Sequence, residues 1–396
     1  MSTHDLFRQI NYLSQVLSHD KKPIALFLGA GCPTAISHPT EKNKKLIPDI
    51  QGLTDHIISV FKQNKHKVLF DKLYSHFVED GKTNPNIEQI LSHLRSLREV
   101  CGSSEVRGLS SANLDDLENV ICKEICKVMT QKLPNNNTPY HNVSTWMFRQ
   151  REFPIEIFTT NYDLLMEQAL EETGIPYFDG FVGGREPFFD TYAVEEDKLP
   201  CRWSRLWKLH GSINWYLSNF NGAVIRGFGL DDNTKKVVIH PSHLKYDESR
   251  RMPYLALLDK FKIFFKQPSA AIIICGYSFS DEHINEVIIE GLRGNPTAIA
   301  FVLLFGPIGK YEKAIKHASH RSNLSLLAED EGVIGTCKGK WHVGGIDENQ
   351  TEISVIKEGK EIKEIKFELG KFQQFGKFLV QLIGKEIGVD EQQIKE

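Results

Sequence analysis

The chain has 396 residues, 41% of them hydrophobic and 25% charged, the balance of a soluble globular protein. A formal net charge of −3 gives no bulk attraction to nucleic acid or a membrane surface, so neither contact is expected and the favoured partners are small molecules and proteins. The cysteines, seven in number and without a C-x-x-C pair, argue against a disulfide framework and against a four-cysteine zinc ribbon.

In chain order, Asp5–Leu17 reads as a helix with no apolar core of signal-peptide length. Pro23–Leu28 is a short, continuously apolar strand running into Gly29-Ala30-Gly31, and a loop of turn formers and lysines, Cys32–Ile47, follows it. From Leu53 to Met129 the pattern is mostly helical, with breaks at Gly81–Asn86 and Gly102–Ser104, so residues 53–133 are expected to be a helical insertion. Cys122 and Cys126, one turn apart in this stretch, read as buried structural thiols. Pro134–Pro139 is a linker or turn.

Further strands are expected at Pro154–Phe158, Arg205–Leu209, Val237–His240, Ala270–Cys275 and Ala298–Leu304. Helices are expected at Asp163–Glu172, Pro253–Phe265, Ser280–Arg293 and Tyr311–Ala318. The longest apolar runs, Ala270–Cys275 and Ala298–Phe305, are too short to span a bilayer, and a cytoplasmic location is expected. Short apolar strands alternating with helices predict an α/β fold, a Rossmann-like parallel sheet with helices on both faces. The tail differs: Glu352–Ile356 and Glu361–Glu368 predict a hairpin, and Lys371–Glu386 a last helix. The expected organisation is one domain over 1–323, carrying the helical insertion, and a small α+β appendage over 324–396.

Several strand ends carry glycine-rich or polar clusters, where open α/β sheets bind ligands. Gly29-Ala30-Gly31 suits close approach of backbone amides to a pyrophosphate, but position 34 is Thr, so the full G-x-G-x-x-G is absent and a plain tight turn explains the same residues. Ile47-Pro48-Asp49 precedes the insertion, and Pro48-Asp49 is also an ordinary turn signature. The strand Pro154–Phe158 delivers Thr159-Thr160-Asn161-Tyr162-Asp163; alone, Asn-x-Asp after a strand reads as a helix cap. Lys208-Leu209-His210-Gly211-Ser212 ends a later strand, and a lone His-Gly reads as a turn. Cys275-Gly276-Tyr277-Ser278-Phe279-Ser280-Asp281 is a second candidate nucleotide loop, with Ser280 or Asp281 available to cap the next helix. Trp203, Trp207 and Trp215 flank His210 and read as core or pocket wall, because no aromatic and basic interleaving marks a nucleic-acid platform. Lysines within Glu41–Lys45 and Lys62–Lys67 read as solvated loop charge.

In order and character the G-A-G loop, the I-P-D segment, the T-x-N-x-D strand end and the His-Gly pair resemble the sirtuin family. Lys208–Trp215 and Cys275–Asp281 look most like its bacterial sirtuin-like branch found in antiphage defence. The resemblance covers roughly residues 20–310, in separate blocks. It implies NAD as the substrate, Asn161 and His210 as the catalytic pair, and a cofactor lining of Gly29, Ala30, Gly31, Thr34, Asp49, Thr160, Asp163, Gly276 and Ser278. Asp49 would stand near the nicotinamide carboxamide, and Asp163 would orient the turn or cap the following helix. Stand-alone defence members of about this size further imply a HerA-type DNA-translocase ATPase as partner, and assembly into a homo-oligomeric ring.

Departure of the cationic nicotinamide leaves oxocarbenium character on the ribose, so such a site chiefly fixes the sugar and positions an acceptor. An asparagine amide both donates and accepts, which lets Asn161 hold a ribose hydroxyl and a water together. His210 can take a proton near neutral pH. Two departures from the resembled deacylases bear on the acceptor. They carry a serine just after the G-A-G loop, where this chain has Cys32-Pro33, so Thr34 or backbone groups would have to replace it. They also carry a zinc ribbon that shapes the acyl-lysine cleft; its two cysteine pairs are missing here, and no zinc is expected. The expected activity is therefore hydrolysis of NAD to ADP-ribose and nicotinamide by a defence effector. The alternatives are a protein deacylase or ADP-ribosyltransferase, and a non-catalytic nucleotide-sensing subunit of an ATPase complex.

Overall fold

The computed structural model describes residues 2–41, 44–102, 104–134, 137–218, 220–227, 236–238, 253–343, 355–358 and 361–384. A short strand, β1 (Ser2–Asp5), leads into α1 (Leu6–Leu17), whose start is fixed by Asp5: its carboxylate accepts the Arg8 amide at 3.1 Å. β2 (Ile24–Leu28) is buried at every position. The chain then turns at once into α2 (Gly31–Thr34), a four-residue helix where only a loop was expected.

The insertion consists of α3 (Ile50–Lys62), α4 (Lys67–Glu79), α5 (Ile87–Cys101) and α6 (Ser111–Met129), and α7 (Pro139–Met147) follows it. Three of its four helices begin at side-chain caps: Asp49 on α3, Asn86 with Gln89 on α5, and Ser110 with Asn113 on α6. A break at 63–66, which carries no Gly or Pro and gives no strong sequence signal, separates α3 from α4. Cys126 is buried and Cys122 half-buried, and neither is in a disulfide.

Next come β3 (Glu156–Thr159), α8 (Leu165–Glu172), β4 (Tyr177–Phe178), β5 (Phe181–Val182), β6 (Phe188–Phe189) and α9 (Thr191–Glu196). They are followed by β7 (Ser204–Lys208), β8 (Gly211–Leu217), β9 (Val224–Arg226), β10 (Lys236–Val238), α10 (Tyr254–Lys266), β11 (Ala271–Cys275), α11 (Glu282–Gly294), β12 (Ile299–Leu303) and α12 (Glu312–Ala318). The remainder is β13 (Leu324–Leu327), β14 (Glu331–Ile334), β15 (Cys337–His342), β16 (Val355–Glu358), β17 (Glu361–Ile365) and α13 (Phe372–Gly384).

A 10-stranded sheet runs in the order β1-β15-β14-β13-β12-β11-β2-β3-β7-β4. From β13 to β4 every pairing is parallel, while β14 and β15 pair antiparallel at one end. The mixed α/β, mostly parallel architecture follows from the continuous apolar strands, which bury both faces. Successive residues point to opposite faces: Leu26, Ile157, Ile273 and Phe301 meet α1, the insertion and α13, while Phe27, Phe158, Ile272 and Val302 meet α10, α11 and α12.

The strand expected at Val237–His240 is represented by β10, which pairs antiparallel with β8 in a separate 5-stranded sheet, and residues 239–240 lie outside the described ones. Residues from 324 on, expected as an appendage, begin with β13, which pairs with β12 and continues the main sheet. The hairpin appears as β16–β17; the expected strand residues 352–354, the turn at 359–360 and the end of the last helix fall outside the described residues. α13 lies on α7, with Phe372 edge-on to Tyr140 at 4.9 Å between ring centroids.

Strand order reverses at the β2–β11 pair: β3 and β7 lie on one side, β12 and β13 on the other. A crevice therefore opens outside the carboxyl ends of these strands.

Candidate active site at the strand crossover

The two glycine loops interlock. Gly29 donates its amide to the Cys275 carbonyl at 2.9 Å, and Gly31 donates to the Gly276 carbonyl at 2.8 Å. A Cβ on Gly29 would overlap the Gly276 carbonyl oxygen, and one on Gly276, whose φ is +68°, would sit 2.7 Å from the Cys32 nitrogen. These positions need glycine because the loops press on each other.

Beside the interlock lies a cavity of about 820 Å³, within the range of small-molecule sites. Ala30, Gly31, Thr34, Asp49, Thr160, Asn161, Asp163, His210, Gly276 and Ser278 all line it. Gly29, the remaining expected site residue, is not on the lining; its carbonyl accepts the Asn161 side-chain amide at 3.1 Å.

Asn161 is held twice. Its backbone amide donates to Thr159 Oγ1 at 3.0 Å, and that hydroxyl donates to the Leu28 carbonyl at 2.6 Å. With one Nδ2 hydrogen committed to Gly29, the amide oxygen and the second Nδ2 hydrogen are what Asn161 can offer a ligand. Asp163 has the turn-orienting part: its buried carboxylate accepts the Leu165 amide at 3.1 Å. Burial pushes the Asp163 carboxyl up to about 6, opposed by the nearby Lys208 ammonium.

Lys208 is the element that sequence reasoning missed here. It ends β7 (Ser-Arg-Leu-Trp-Lys), is 2% exposed, and reaches Glu167 Oε1 at 2.7 Å, the Tyr162 carbonyl at 3.5 Å and the Asp163 carbonyl. A buried cation holding two turn carbonyls pins the Thr-Thr-Asn-Tyr-Asp end against β7. A lysine between Trp207 and Leu209 was the available signal.

His210 follows β7 and turns into β8 at Gly211, whose φ is +84°. Its Nε2 lies 3.3 Å from Asp281 Oδ2, with both side chains 9% exposed. Asp281 also caps α11, accepting the amides of His283 at 3.1 Å and Ile284 at 3.4 Å. The cap was legible in the sequence; the approach to His210 was not, because it joins two strand ends remote in sequence.

Thr34 donates its hydroxyl to the Gly31 carbonyl at 2.8 Å, and Ser278 and Ser280 share a hydrogen bond of 3.0 Å. Asp49 accepts the Gly52 amide at 3.0 Å and pairs with Lys45 at 2.6 Å; the lysine first, then the amide, hold its carboxyl below the usual range. Cys32 is buried, and desolvation pushes its thiol well above the ordinary value. Glu88 from α5 and Phe305, Tyr311 and Lys371 from the far side complete walls that no sequence motif announced. Trp207 and Trp215 are buried in the core, Trp203 is partly buried, and none of the three lines the cavity.

Among the described residues no group of three or more His, Cys, Asp or Glu side chains is placed to hold a metal ion, and no helix is long and apolar enough to cross a membrane.

The family model described as SIR2-like domain matches residues 155–325, the stretch from β3 to β13 that carries Asn161, His210 and the Gly276 loop. Over that stretch the chain is similar to a SIR2-like domain. No curated protein matches the sequence. Among solved structures, one described as the structural basis for the mechanism and regulation of Sir2 enzymes shares 13% identity over 74% of this chain and 84% of its own, with a TM-score of 0.35. Two mutants of a Sir2 homologue, each complexed with ADP-ribose, share 11% identity over 96% of this chain and 98% of theirs, with TM-scores of 0.36 and 0.37. These likenesses are distant.

Proposed function

We propose that the chain is an NAD glycohydrolase that cleaves the nicotinamide–ribose bond to ADP-ribose and nicotinamide. The observation that carries this reading is that Asn161 and His210, from different strand ends, open onto one cavity together with both glycine loops. The Asn161 amide oxygen holds a ribose hydroxyl or the attacking water. Water adds to the anomeric carbon, the C–N bond breaks with its electron pair going to the nicotinamide nitrogen, and His210 takes the water's proton. Carboxylates of Asp49, Glu88 and Asp281 are among the lining groups, Asp49 paired with Lys45, and suit a site that receives a cationic nicotinamide ring.

The test is to incubate the chain with NAD and separate the products, with and without a HerA-type ATPase. Free ADP-ribose and nicotinamide that disappear in Asn161→Ala and in His210→Ala support the reading; no turnover under either condition overturns it. Acyl-lysine turnover with one nicotinamide released per product would instead favour deacylation. Binding of ADP-ribose without turnover would favour a sensing subunit.

The NAD-depleting activity serves antiphage defence in the cytoplasm, and the chain assembles as a ring on a HerA-type DNA-translocase ATPase. Light scattering of the chain with and without that ATPase, and cellular NAD measured through phage infection, test these two points.

A further inference from the structure

The carboxylate that faces His210 comes from an element with its own reasons to stay in place. Asp281 Oδ1 caps the 13-residue helix α11, and Oδ2 lies 3.3 Å from His210 Nε2. The cap region is braced from behind: the Tyr277 hydroxyl meets the Asp281 carbonyl at 3.0 Å and Asn285 Oδ1 at 2.8 Å, and Asn285 Nδ2 donates to the Phe279 carbonyl at 3.0 Å. Each partner in this bracing is buried, so the carboxylate has little freedom to swing toward solvent.

We propose that Asp281 is a positioning residue for His210, holding the proton on Nε2 so that Nδ1 is the basic nitrogen of the ring. The inference rests on the reading of His210 as proton acceptor. A carboxylate on one ring nitrogen fixes the tautomer and orientation of an imidazole and stabilises its protonated form. It is the arrangement a base needs if it must stay in one pose while accepting a proton.

Other charged groups on the cavity are already engaged. Asp163 is turned to the Leu165 amide, Asp49 to Gly52 and Lys45, and Lys371 to Glu368. Glu88 on α5 also lines the cavity, and its charge acts in the same sense as that of Asp281. Tyr162, also on the lining, is neutral because burial raises its phenol.

The experiment is an NMR titration of the His210 ring in the full chain, with carbon-13 labelled histidine and the signal assigned by its loss in His210→Gln. Asp281→Asn keeps an oxygen for the helix cap and removes the charge. Its His210 midpoint is expected to fall by about one pH unit, with the melting temperature unchanged. Asp281→Ser, which also retains a cap acceptor, should give the same fall and guards against a folding defect peculiar to the amide. An unchanged midpoint in both variants overturns the proposal.

This readout needs no turnover, so it is separate from the proposed activity. If the chain cleaves NAD, the acid limb of its pH–rate profile should move down with the NMR midpoint. A moved midpoint with an unmoved limb removes His210 from the role of base while leaving its link to Asp281 intact.

Discussion

Gly31 donates its amide to the Gly276 carbonyl at 2.8 Å, and this bond ties the ends of β2 and β11 at the point where strand order reverses. Both loops line the cavity. The glycines serve this backbone contact first.

Gly276→Ala should open that contact. Its φ of +68° and the Cys32 nitrogen 2.7 Å from the new Cβ predict a loss of about 1–3 kcal/mol in urea unfolding. Affinity for ADP-ribose, measured by calorimetry, should fall with it. Gly184→Ala, in open space, should change stability by no more than about 0.5 kcal/mol.

Lys208→Met leaves the Glu167 carboxylate buried without its ammonium and frees two carbonyls of the Asn161 turn. A loss of about 3–5 kcal/mol is expected, and the double variant with Glu167→Leu should recover part of it. Equal losses in the single and double variants would show that the ion pair itself contributes little.

The buried carboxyl of Glu156, which accepts the Trp207 indole N–H at 2.7 Å, is raised by desolvation to about 6. A folded-state value above the unfolded one means that the protonated form is favoured by folding. The associated stability is therefore complete below about pH 4.3 and is lost as pH rises through about 6. Glu156→Gln, which keeps the shape, should raise stability at pH 7.5 by about 1–2 kcal/mol and change it little at pH 4. Denaturant curves at the two pH values check both sign and window.

Phe372 lies outside the SIR2-like match yet lines the cavity and stacks edge-on against Tyr140 at 4.9 Å. Phe372→Ala should cost about 3–5 kcal/mol and also weaken ADP-ribose binding, because α13 is a wall of the site. Unaltered binding in a folded variant would mean that the tail only completes the core.

The parallel core was legible because a strand buried on both faces must be apolar throughout; Ile24–Leu28 and Ala271–Cys275 read as strands for that reason. β1 was not legible. Ser-Thr-His-Asp has no apolar alternation, and it is a strand only because β15 offers it an edge to pair with. The small antiparallel sheet around β8 escaped for a related cause: β5 and β6 have two residues each, too few to show a period.

Within the site, the sequence alone determined which strand ends are polar, where glycine recurs and that Asn161 and His210 stand at such ends. Those are properties of contiguous residues, set by local backbone and strand chemistry. Only the tertiary structure decided that Asp281 faces His210, that Lys208 pins the Asn161 turn, and that the insertion and the C-terminal helix close the cavity. Each of these joins groups remote along the chain, and the hydrophobic burial that brings them together is non-directional and leaves no local pattern to read.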